Sequence, residues 1–214
     1  MDPILLASAE SVPRRPFTAI SLYRHDRAVL ALMLAELRDR LPGLAASPDW
    51  HPFEPREWSL DGRRHRNIVG RLDILFDPAD VCVVGFFGQR RLHLDGEPLE
   101  EANREIVLDF RNHLGILSYS SIELRDGNWA NLILHDVPEV RENWRSSEAH
   151  ARAARELSPI FYRTVRIHNG LLRGGLPGGA AIEIDRTKYW DYRRRGQVWH
   201  AIRELRDVTT HLAH

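Results

Sequence analysis

The chain has 214 residues, which at roughly 150 residues per domain means one large domain or two small halves sharing a core. Thirty basic residues balance thirty acidic ones for a formal net charge of 0, which removes the general electrostatic pull toward nucleic acid or anionic membrane. With 43% hydrophobic and 28% charged residues, the composition excludes both a disordered chain and a membrane-spanning one, and leaves a small molecule or another protein as partner.

The single cysteine, Cys82, sits in the apolar run Val81 to Phe87, so no disulfide framework and no CxxC metal site is expected. The start, Met1-Asp2-Pro3-Ile4, lacks the basic and apolar regions of a signal peptide, and a cytoplasmic location is the expectation. All but one of the basic residues are arginine, Lys188 being the exception.

In chain order, residues 1–16 read as an extended arm, and Phe17 to Tyr23 alternates like a strand. Asp26 then caps a helix with the apolar stripe Leu30, Met33, Leu34, Leu37 and Leu41, stopped at Pro42-Gly43. Residues 43–66 carry three prolines and the run Asp61-Gly62-Arg63-Arg64-His65-Arg66. A connection this long is the best candidate for a lid. Strands at 67–76 and 81–89, separated by Asp77-Pro78-Ala79-Asp80, are expected to form a hairpin. Residues 100–114 have helical spacing through Ala102, Ile106, Phe110 and Leu114. A second hairpin joins 116–125 to 128–136 through Asp126-Gly127, chemistry that suits a type I′ turn. Its register puts Trp129, Asn131, Ile133 and His135 on one face and Ala130, Leu132 and Leu134 on the other. Helices over 147–172, divided at Ser158-Pro159, a flexible loop at Gly174 to Gly179, a strand at 180–185 and a helix at 197–206 complete the reading. Hairpins interleaved with helices predict an α+β fold, with an antiparallel sheet covered by helices.

Residues 116–185 run strand, Asp-Gly, strand, then Asn143-Trp144-Arg145-Ser146-Ser147-Glu148-Ala149-His150, Ser158-Pro159-Ile160-Phe161 and a last strand. This third of the chain resembles the dimeric α+β barrel superfamily, which contains cofactorless antibiotic-biosynthesis monooxygenases, heme-degrading monooxygenases and aldoxime dehydratases. The resemblance implies a ferredoxin-like α+β barrel. Residues 17–114 would form an N-terminal half and 115–214 a C-terminal half sharing one barrel. It also implies an enzyme acting on a small organic substrate, a heme-dependent oxidoreductase or lyase, with a cofactorless monooxygenase as the close competitor. A noncatalytic small-ligand-binding or dimerisation module is the reading of a different class. Sheet edges able to pair between subunits allow a homodimer.

In such a fold the inward polar residues are the candidates. Asn131 and His135 would orient substrate if their strand face is internal, and are ordinary surface residues if it is not. An axial heme ligand must be a neutral imidazole directed into an aromatic-lined cavity. On a continuous helix His150, Phe161 and His168 fall near one face, so His168, and failing it His150, is the candidate iron ligand or catalytic base. The relatives' axial position aligns with Val165, one turn before His168. Trp144, Tyr162 and Phe161 would wall the pocket, with Arg163 and Arg166 available to a carboxylate or heme propionate. Tyr189 to Tyr192 suits a pocket rim or dimer interface. The basic runs 63–66 and 193–195 are offset by acids elsewhere, which argues against nucleic-acid binding.

Overall fold

The computed structural model describes residues 2–136, 147–194 and 196–205. Nine strands form one sheet: β1 (Ile4–Leu6), β2 (Pro55–Leu60), β3 (Arg63–Val69), β4 (Val81–Arg90), β5 (Ile116–Glu123), β6 (Trp129–His135), β7 (Tyr162–Leu172), β8 (Glu183–Asp191) and β9 (Trp199–Glu204). The strand order is β1-β9-β8-β7-β4-β6-β5-β3-β2. Among the described residues only β1 with β9 is a parallel pair. The fold is thus α+β, with β1 and β2 at the two ends of the sheet. Strands from 17–114 and from the remainder interleave, because β4 lies between β6 and β7.

Helix α1 (Ile20–Ala45) covers one sheet face. Its buried positions, Asp26, Val29, Leu30, Met33, Leu34, Leu37 and Leu41, recur every three or four residues, which is the stripe a helix needs to lie on a sheet. Gly85 lets it come close: a Cβ there would stand 2.7 Å from Leu30 Cδ1. The opposite face carries α3 (Glu97–Asp109), after the short α2 (Leu72–Leu75); Val107 and Phe110 pack on Ile68, Val84, Tyr119 and Ile133. Residues 148–161 are helical throughout, as α4 (Glu148–Arg152), a π-type turn (Ala153–Leu157) and α5 (Ser158–Phe161).

The helix at 100–114 and the 116–136 hairpin stand where expected, and the two faces of β6 follow the predicted alternation, Ala130, Leu132 and Leu134 packing with α1. The hairpin turn differs in type. Gly127 has φ 75°, its N–H donates to the Leu124 carbonyl and Leu124 N–H donates to Asn128, a three-residue loop with glycine in the left-handed position. The type I′ geometry occurs instead at Asp61-Gly62, both with positive φ.

Several expectations are corrected. Phe17 to Tyr23 is a 3-10 turn (Pro16–Thr18) leading into α1, so Asp26 is an interior helix residue rather than a cap. The lid candidate 43–66 contains the end of α1, β2 and the start of β3. β3 pairs with β2 and β5 rather than with β4, because residues 72–75 turn into α2. Residues 162–172 form β7, not a helix: Thr164, Val165 and Ile167 are β-branched, and the segment fills the slot between β4 and β8. Residues 199–204 form β9, not a helix. Period-2 alternation of His200 and Ile202 against Ala201 and Arg203 wins over the weak helical pattern.

Candidate functional site

Thr164, Arg166 and His168 project from β7 toward α1, since Phe87 and Gly85 on the α1 face are their register partners. Asp26, on the first part of α1, lies above them with no solvent exposure. Its carboxylate accepts from Arg166 Nε at 2.6 Å, Arg166 Nη2 at 2.9 Å and His168 Nε2 at 2.9 Å. His168 Nδ1 is 2.9 Å from Thr187 Oγ1 on β8. A neutral imidazole with its proton on Nε2 satisfies both contacts, donating to the carboxylate and accepting from the hydroxyl. Burial lowers the His168 pKa below its ordinary value even though Asp26 pulls the other way. Burial alone would raise the Asp26 pKa, but the hydrogen bonds from His168 and Arg166 overcome it and hold the carboxyl below the usual range. A neighbouring buried cation, Arg203 on β9, donates to Tyr189 Oη and to the carbonyls of Glu10 and Thr18. It ties the N-terminal segment to the sheet.

This network corrects the reading of His168 as axial ligand. The residue lies on a strand, 1% exposed, with one ring nitrogen on Asp26 and the other on Thr187. An iron ligand needs a free nitrogen facing a cavity, so heme does not fit His168. Arg166 is likewise committed to Asp26 and is unavailable to a propionate. Among the described residues no group of three or more His, Cys, Asp or Glu is arranged to hold a metal ion, and no helix is long and apolar enough to cross a membrane.

The other predicted residues are dispersed. His150 is half-buried on α4, where Ser147 Oγ accepts its backbone N–H. His135 is fully buried at the end of β6. Trp144 lies outside the described residues. Phe161 is buried at the end of α5, and Arg163 is exposed. Tyr162 covers Gly88 and meets Phe86 edge-on, and burial together with the nearby Tyr119 phenol pushes its pKa far up. Asn131 does face the α3 side, beside Tyr119, Ser121 and Arg66. His168 and Asn131 therefore do not share a site: His168 lies on the α1 face of the sheet and Asn131 on the other.

A cleft lies elsewhere, between the C-terminal half of α1 and the β2–β3 ribbon. It has a volume of about 640 Å³ and is lined by Leu37, Leu41 and Leu44, by Arg40, Arg56 and Trp58, and by Asn67. Trp58 is register partner of His65, and Arg56 of Asn67, so all four point to the α1 side of the ribbon. The Arg40 guanidinium lies 4.3 Å from the Trp58 ring centroid and the His65 ring stacks on the indole at 5.5 Å. Three polar atoms here, Arg56 Nε, Trp58 Nε1 and His65 Nε2, are shielded and have no hydrogen-bond partner among the described residues. Burial, reinforced by Arg63 and Arg40 against Glu36 and Asp61, lowers the His65 pKa and keeps the ring neutral. A shielded donor left unmatched costs about 1–3 kcal/mol, so the two on cleft-lining residues, Arg56 Nε and Trp58 Nε1, call for a ligand.

Sequence reasoning passed over both Asp26 and this cleft. A signal existed for the first: Asp26 continues the stripe of Val29, Leu30 and Met33 one turn toward the N-terminus, and a carboxylate on an apolar stripe needs a buried partner. For the second, Trp58 and His65 face each other only once the Asp61-Gly62 turn is placed.

Comparison with known proteins adds little. No family model matches the chain, and no curated protein matches it. The crystal structure of protein SO0527 from Shewanella oneidensis is similar over 45% of this chain and 93% of its own, with 13% sequence identity and a TM-score of 0.39.

Proposed function

We propose that this protein is a noncatalytic module that binds a small organic ligand. The observation that carries the reading is the contrast between its two polar regions. Under the first half of α1, Asp26, Arg166, His168 and Thr187 satisfy one another and leave no reactive group to a substrate. Beside the second half of α1, a cleft of about 640 Å³ leaves polar atoms unmatched. A concave site with an apolar wall and a few convergent polar groups is the ordinary form of a ligand pocket, and 640 Å³ lies in the usual range of about 300–1,000 Å³.

Titration of the full chain with hemin, followed by visible absorption, tests this against the heme-enzyme reading. The expected result is a spectrum that His168→Ala does not change. A saturable Soret band with one equivalent of heme, lost in His168→Ala, refutes the proposal, as does turnover-linked oxygen uptake abolished by the same variant.

A further inference from the structure

We infer that the ligand of the α1/β2–β3 cleft is a small monocarboxylic acid with an apolar body, an inference that rests on the binding-module reading above. Two of the three unmatched atoms, Arg56 Nε and Trp58 Nε1, can only donate hydrogen bonds, so the ligand must bring acceptors. One of the two belongs to a cation, and a charged donor matches a carboxylate better than a neutral carbonyl. The third, His65 Nε2, belongs to a ring that is 2% exposed behind the Trp58 indole. Arg40 and His65 hold the indole in place by packing on it, so the Trp58 donor is fixed before the ligand arrives. Leu37, Leu41 and Leu44 supply an apolar wall for the carbon body.

Charge limits the class further. Asp39 lines the same cleft as Arg40 and Arg56. Arg40 is paired with Glu36 at 3.1 Å; Arg56 Nη2 donates to the Asp49 carbonyl at 3.0 Å and lies 3.9 Å from Glu54 Oε2, which leaves Nε open. One guanidinium edge and one indole N–H suit a single carboxylate, and Asp39 disfavours a polyphosphate or a dicarboxylate.

The test is a titration of the full chain followed by 1H–15N correlation spectra, with benzoate as the probe and benzyl alcohol as its uncharged counterpart. The chain has six tryptophans, and Trp58→Phe identifies the Trp58 indole N–H signal by its disappearance. Benzoate is expected to move that signal saturably, and benzyl alcohol to bind at least tenfold more weakly. Arg56→Gln is expected to weaken benzoate about tenfold with the spectrum otherwise unchanged, and it serves as the reporter if Trp58→Phe fails to fold. Equal binding of the two probes, or insensitivity to Arg56→Gln, overturns the acid class and leaves the binding module standing. A Trp58 signal unmoved while other residues shift overturns this site. If benzoate, benzyl alcohol and benzylamine move no resonance at all, the binding-module reading falls with it.

Discussion

Replacing Asp26 by asparagine keeps the shape of the side chain and removes its charge, leaving Arg166 as a cation that is 8% exposed with no counter-ion. Three hydrogen bonds of 2.6 to 2.9 Å converge on this carboxylate. Breaking a buried pair from one side costs about 3–5 kcal/mol. That is about a fifth or more of the roughly 5–15 kcal/mol that holds a domain folded, and in a chain of this size about 2–4 °C per kcal/mol gives a Tm lower by about 6–20 °C. Urea unfolding followed by circular dichroism reads the change, with the exposed pair Arg40–Glu36 as control. Its loss through Glu36→Gln should cost under about 1 kcal/mol. Adding Arg166→Met to Asp26→Asn should recover part of the loss, since the orphaned cation is then gone. An Asp26→Asn protein within about 1 kcal/mol of wild type would refute the claim that this network is a matched buried unit.

Acid should weaken the fold in two steps. His168 and Asp26 are both held below their ordinary values of 6.5 and 3.8, so the unfolded chain takes up protons first, and the stability they contribute, complete above those values, is lost as pH falls through the folded-state pKa of each. Urea midpoints in His168→Asn should therefore fall less between pH 6.5 and pH 5 than those of wild type. Gly170→Ala would place a Cβ 2.2 Å from the Glu183 carbonyl oxygen at the irregularity between β7 and β8, and should cost about 1–3 kcal/mol in thermal unfolding. Gly43→Ala, with nothing within 4 Å of the added carbon, should be neutral or stabilising by up to about 1 kcal/mol. Arg203→Met removes the donor that holds the carbonyls of Glu10 and Thr18, and hydrogen exchange at residues 4–18 should accelerate while α1 keeps its protection.

What the sequence revealed and what it hid divide along one physical line. The 116–136 hairpin and the helix at 97–109 are local objects whose periodicity and turn residues lie within a few positions of one another, and both were legible. β7 was not. Phe161, Val165 and His168 have helical spacing and Thr164, Arg166 and His168 have strand spacing in the same eight residues, and only the vacant slot between β4 and β8 decides between them. That decision carries the function with it. On a helix His168 would have had a nitrogen to offer an iron atom; on the strand its two nitrogens meet Asp26, 142 positions away, and Thr187 on the next strand. The same holds for the cleft, where the α1 residues Leu37 and Arg40 meet Trp58 and Asn67 from a ribbon that reads as an irregular connection until its two-residue turn is recognised. A residue's chemistry is written in the sequence, but whether its polar atoms are spent on a neighbour or left for a ligand depends on contacts between distant segments. In this chain that accounting moves the candidate site from a histidine on β7 to an arginine and a tryptophan on β2.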